Sequence, residues 1–143
     1  GWPSGVVTPV IDLLEGLAWA DCISVHIPRG DKPAIGAAEF AAMKPGVILS
    51  NTARGGVVDE AALAAALASG HVAAAGVDVF DDEPPTGTSP LFAQDVALLS
   101  PHIAGLTNEC GERMAIASIE NALAYLDGSI APELVVNHKN AVA

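Results

Sequence analysis

Short runs of apolar residues alternate along this chain with longer stretches in which apolar positions recur at steps of three and four. Cys22 to Ile27, Gly46 to Asn51, Val72 to Val79 and Val96 to Ser100 read as four strands. Between them lie helical patterns. Ile11 to Ala20 has apolar residues at Ile11, Leu14, Leu17 and Ala18, and Ala37 to Met43 is a short helix stopped by Lys44-Pro45-Gly46. Asp59 is placed to cap a helix running to about Ala68, with Ser69-Gly70 as its stop. The clearest helix comes last: Thr107 caps it, Ile116, Ile119, Leu123 and Leu126 form one stripe, and Asp127-Gly128 ends it. Residues 1–10, 81–90 and 129–143 read as loop, loop and tail, with Leu91-Phe92 a short segment before the fourth strand.

Almost wholly apolar strands alternating with helices imply an α/β fold whose parallel sheet is covered on both faces. In such a sheet the carboxyl ends of neighbouring strands share one rim, where ligands bind. His26 ends the first strand, Arg54 follows the second, Asp78 ends the third with Glu83 just beyond, and His102 follows the fourth. The rim therefore gathers every candidate for chemistry. In Asn51-Thr52-Ala53-Arg54-Gly55-Gly56 the arginine offers a planar fork suited to a carboxylate or phosphate, and the glycines allow close backbone approach. A carboxylate beside His102 stabilises the protonated ring and fixes its orientation, giving an acid/base pair near neutral pH. Glu83 is the first choice for that carboxylate, with Asp81 and Asp82 as alternatives. For a 2-keto acid, Arg54 would bind the carboxylate and polarise the neighbouring carbonyl, while His102 gives the proton that a delivered hydride demands. No side chain supplies a hydride, so a cofactor is required. His71 and His138 have no role in this reading, and Cys22 and Cys110 read as a core and a helix residue.

Composition narrows the partners. A formal charge of −11 and six scattered Lys and Arg residues in 143 exclude a nucleic-acid or anionic-membrane surface. Hydrophobic residues are 51% of the chain, yet no uncharged apolar run approaches the roughly 20 residues of a membrane-spanning helix. The two cysteines lack metal-type spacing, so no metal is expected, and a reduced, cytoplasmic protein of one domain or a piece of one is the simplest inference. No Gly-x-Gly occurs anywhere, so the fingerprint that seats a dinucleotide pyrophosphate on a helix N-terminus is not among these residues.

Five segments, in order, resemble the D-isomer-specific 2-hydroxyacid dehydrogenase family. They are Val25-His26-Ile27-Pro28, Met43-Lys44-Pro45-Gly46, the run Asn51 to Leu63, Gly76-Val77-Asp78-Val79-Phe80 with Glu83-Pro84, and Ser100-Pro101-His102-Ile103-Ala104-Gly105. The likeness runs from about residue 12 to about residue 127. It implies a partial Rossmann-type parallel sheet flanked by helices: an incomplete NAD-binding domain over 1–127 and a tail, 128–143, returning toward an absent substrate domain. In the family's pattern Arg54 is the substrate-binding and catalytic arginine, Glu83 the carboxylate partner and His102 the acid/base. Asp78 holds the nicotinamide carboxamide, helped by backbone around Ala53 and Arg54. His26, Thr52, His102 and Gly105 complete the cofactor pocket. The loop Arg29 to Ile35 is shorter than the family's usual one.

The resemblance further implies NAD or NADP as cofactor, a small 2-keto or 2-hydroxy acid as substrate, and a homodimer in the full-length protein. Two alternatives stand beside the enzyme: a corepressor-like, NADH-sensing interaction protein on the same fold, and an inactive truncated piece. Formate oxidation fits less well, because the family's formate enzymes have glutamine where Glu83 stands. The phosphate fingerprint, the ribose-binding acidic residue and most of the substrate domain are expected before residue 1. The 143 residues alone are therefore expected to show no reductase activity, and to associate through an open strand edge and uncovered apolar faces.

Overall fold

The strands align as parallel neighbours in the order β1 (Cys22–Val25), β2 (Val47–Asn51), β3 (Val72–Val77), β4 (Ala97–Leu99). The computed structural model describes residues 7–85 and 87–136; the expectations for residues 1–6 and 137–143, His138 among them, lie outside that range. Cys22 pairs with Ile48, Ile48 with Ala74, and Ala75 with Ala97, with one irregularity at Val47/Ile48. β1 and β3 are shorter than their apolar runs predict. His26 and Asp78 therefore each lie one residue past a strand end rather than inside it.

The helices form where capping chemistry permits. Asp12 accepts the Leu14 N–H at the start of α1 (Leu13–Trp19), and Asp59 Oδ1 accepts the Ala62 N–H, 2.9 Å away, at the start of α3 (Glu60–Ala68). α2 (Ala37–Ala42) begins at Gly36, whose N–H bonds the Glu39 carboxylate at 2.9 Å. A 3-10 turn spans Pro90–Ala93 in place of the expected Leu91-Phe92 segment.

Each strand is added on the same side of the last one. Right-handed crossovers made repeatedly in one direction place their helices on one face of the sheet. Leu17, Phe40, Leu63 and Leu67 from the helices and Met43 from the end of α2 meet Val25, Val47, Leu49, Val72 and Val77 from the strands in one buried cluster. Leu49 and Leu63 are almost wholly buried, each such side chain contributing about 2 kcal/mol by leaving water. The other face lacks the cover that the apolar strands imply, in line with the uncovered apolar faces expected of these 143 residues alone. Ile48 is 48% and Leu98 79% exposed, so the helices between the strands cover one face of the sheet and not both.

The chain divides into two compact units, one ending at Ala104 and one beginning at Gly105. In the second, α4 (Asn108–Asp127) starts at Thr107, whose hydroxyl accepts the Cys110 N–H, and ends at Gly128 in a left-handed conformation, as its sequence predicts. Its stripe of Ile116, Ile119, Leu123 and Leu126 is exposed.

Candidate active site

The turn off β2 is shaped by Asn51, which is 3% exposed. Its Oδ1 accepts the Ala53 N–H at 3.1 Å and its Nδ2 donates to the Arg54 carbonyl at 3.2 Å, a side-chain-closed turn typical of asparagine. The Asn51 carbonyl accepts the Asp78 N–H at 3.0 Å, so the ends of β2 and β3 are tied together. Gly55 lies against the next segment: a Cβ there would sit 1.7 Å from the Phe80 carbonyl oxygen, a distance only glycine avoids. Arg54, exposed, donates from Nη1 to the Ala53 carbonyl at 2.6 Å.

Beyond β3, Asp78 is buried and its carboxylate organises the loop that carries His102. Oδ1 accepts from the Ser100 hydroxyl at 2.5 Å and the Ile103 N–H at 2.9 Å; Oδ2 accepts the Ala104 N–H at 2.9 Å. The Asp78 carbonyl accepts the His102 N–H at 2.8 Å. Burial pushes this carboxyl up, but the bonds from Ser100, Ala104 and Ile103 and the nearby His102 outweigh it. The net result lies below the ordinary carboxylate value. His102 itself has φ +54°, a left-handed conformation that costs a non-glycine residue about 1–3 kcal/mol and that the Asp78 bonds on either side hold in place.

Glu83 completes the pair. Its Oε1 accepts the Phe80 N–H at 3.1 Å and its Oε2 lies 2.7 Å from His102 Nδ1. Its carboxyl is held below the ordinary value, first by the bond to His102, then by the Phe80 N–H, with the charges of His102 and Arg54 adding and burial opposing. Asp81 and Asp82 do not take this position, and the Asp81 carboxyl is pushed up, first by burial and then by the charge of Glu60. An ionised Glu83 only accepts, so Nδ1 carries the hydrogen and Nε2 is left for another partner.

Arg54, Glu83 and His102 line one pocket of about 220 Å³ with Arg29, Gly55, Phe80 and Asp81. A second hollow, about 350 Å³, shares Arg54 and is lined by His26, Ile27, Pro28 and Ala53. His26 Nε2 lies 2.7 Å from the Ser24 hydroxyl and does not join the Glu83 pair. Thr52 is exposed in the turn, and Gly105 opens the second unit. Sequence reasoning gave no part to Arg29, whose guanidinium lies 2.8 Å from where a Gly56 Cβ would be, although it follows β1 at the same rim. Nor did it single out Asn51, which its place at a strand end before a turn could have marked, or Ser100, whose bond to Asp78 spans 22 residues and leaves no local signal. Among the described residues no group of three or more His, Cys, Asp or Glu side chains is arranged to hold a metal ion, and no helix is long and apolar enough to cross a membrane.

Residues 4–104 match the family model described as the D-isomer specific 2-hydroxyacid dehydrogenase, NAD binding domain, and the chain belongs to that family. It is 45% identical over 104 residues to an (S)-sulfolactate dehydrogenase from Chromohalobacter salexigens, a stretch covering 71% of this chain and 34% of that protein. A D-isomer specific 2-hydroxyacid dehydrogenase from Xanthobacter autotrophicus, solved with NADPH and MES, superposes with a TM-score of 0.71 at 37% identity, covering 83% of this chain and 49% of the other. A D-lactate dehydrogenase from Lactobacillus jensenii, solved with NAD+, gives a TM-score of 0.74 at 34% identity, covering 84% and 41%. The chain spans a quarter to a third of the length of the curated relatives it matches, 24% of one and 34% of another.

Proposed function

We propose that these residues form the catalytic rim of an NAD(P)-dependent dehydrogenase that interconverts a 2-keto acid and a D-2-hydroxy acid. The observation that carries the reading is the 2.7 Å contact of His102 Nδ1 with Glu83 in a pocket that Arg54 also lines. Arg54 binds the substrate carboxylate through its fork and draws charge from the adjacent carbonyl. Glu83 fixes the orientation of the His102 ring through the contact at Nδ1. In reduction Nε2 gives its proton to the carbonyl oxygen as the carbonyl carbon becomes C–H; in oxidation it takes the hydroxyl proton back.

The nicotinamide, when bound, supplies or accepts the hydride. The hollow at the ends of β1 and β2 fits such a ring: Ile27, Pro28 and Ala53 offer apolar wall, and His26 and Arg54 offer polar edge. In our reading His26, Thr52, Ala53 and Arg54 hold the nicotinamide side of the cofactor. Asp78 would serve it by fixing the His102 loop and would offer its remaining acceptor capacity to the carboxamide. Residues 1–127 act as part of a nucleotide-binding domain, with 128–143 a tail outside it.

The test is an assay of the complete gene product against a panel of 2-keto acids with NADH or NADPH. Turnover of at least one, giving the D-hydroxy acid, is the expected result. A folded, cofactor-binding protein that reduces none of them contradicts the proposal.

A further inference from the structure

Glu60, the first residue of α3, belongs neither to the pocket of His102 nor to the family of rim residues read from the sequence. Yet both of its carboxylate oxygens are engaged with the segment that carries Glu83. Oε1 accepts the backbone N–H of Asp81 at 2.7 Å, and Oε2 accepts the Ser89 hydroxyl at 2.5 Å. The next N–H upstream, that of Phe80, is the one that Glu83 Oε1 accepts. On its other side the same segment abuts Gly55, where a Cβ would fall 1.7 Å from the Phe80 oxygen and 3.0 Å from the Asp81 nitrogen. The Phe80–Glu83 turn is thus gripped between a glycine that permits contact and a carboxylate that supplies hydrogen bonds. A charged acceptor makes the stronger kind of such bond. Glu60 sits half-buried at a helix start, where its charge also favours the helix dipole.

We propose that Glu60 is a positioning residue for the acid/base pair: its two hydrogen bonds fix the start and the far end of the Glu83 segment, so that Glu83 meets His102. The inference rests on reading Glu83 and His102 as that pair, but it concerns a geometry present without substrate. The groups facing Glu83 are His102, Arg54 and the Phe80 N–H, and Glu60 faces Asp81 and Ser89.

Two effects of removing Glu60 have opposite signs, and this makes the inference testable by titration rather than turnover. Loss of a nearby negative charge lowers the Glu83 pKa, whereas loss of position breaks the contacts with His102 and Phe80 and raises it. The experiment follows the Glu83 carboxyl carbon by NMR through acid pH in the 143-residue chain, without cofactor, for the unaltered protein and the variants Glu60→Ala, Glu60→Gln and Glu60→Asp. Amide dispersion serves as the check on folding. Glutamine keeps both bonds, since its oxygen accepts from Asp81 and its amide donates to Ser89; aspartate keeps the charge but falls one methylene short.

The expected result is an upward shift of the Glu83 midpoint in Glu60→Ala and in Glu60→Asp, and a midpoint at or below that of the unaltered protein in Glu60→Gln. A midpoint unmoved or lowered in Glu60→Asp overturns the inference, and this variant carries the test if Glu60→Ala does not fold. An equal rise in Glu60→Gln overturns it too, because the bonds are then irrelevant. Since nothing here depends on catalysis, an enzyme silent toward keto acids would leave this outcome readable.

Discussion

Asp78 shows how a buried carboxylate can fix the loop that carries a neighbouring histidine. Three donors from Ser100, Ile103 and Ala104 converge on it, and its folded pKa is depressed. A depressed carboxyl contributes stability that is fully present above its unfolded pKa and is lost as pH falls through the folded one. Asp78→Asn turns one acceptor into a donor facing a backbone N–H, at an expected cost of about 1–3 kcal/mol near neutral pH. Urea unfolding at pH 7 and near pH 3 checks the sign: the variant is weaker at neutral pH and the difference shrinks in acid. Equal stability at pH 7 would contradict this role. At this scale the sequence was partly legible. That Arg54, Glu83 and His102 meet at one rim could be read because strand ends are visible as the limits of apolar runs. The grip of Asp78 on residues 100–104 was not, because hydrogen bonds spanning 22 to 26 residues have no local pattern.

Among the elements, strand and helix order followed the apolar periodicity closely, and the caps Asp59 and Thr107 stand where their residue types predict. The number of covered sheet faces did not follow. A run such as Val47-Ile48-Leu49 reads as buried on both sides, whereas Ile48 is half exposed between two buried neighbours. The reason is topological: with every crossover stepping the same way, helices between successive strands reach one face only. Leu98, on edge strand β4, is more exposed than Ile48 on the open face. Leu98→Lys is therefore expected to change the stability of the 143-residue chain by no more than about 0.5 kcal/mol. It should also reduce self-association in sedimentation velocity, because a charge on an uncovered apolar face opposes sticking. A large loss of stability would mean that the position is covered within the chain.

For the whole molecule, what matters is that four strand ends deliver Arg54, the hydrogen-bonded pair of His102 and Glu83, and the hollow beside His26 to one rim. Each depends on a device elsewhere: Asn51 closes the arginine turn, Gly55 lets two backbones touch, and Asp78 fixes the histidine loop. Family membership was legible because its motifs are these same devices, spaced by the strands between them. A choice among substrates was not legible, since side-chain selectivity belongs to pocket walls that these motifs do not encode.

Whether His102 moves the proton is decided by His102→Asn in the complete gene product. Asparagine tolerates the left-handed backbone at this position and cannot act as acid or base. Reduction of the preferred 2-keto acid should fall by roughly 10²- to 10⁴-fold in kcat/KM while cofactor affinity is retained. A rate within a few-fold of the unaltered protein would contradict it.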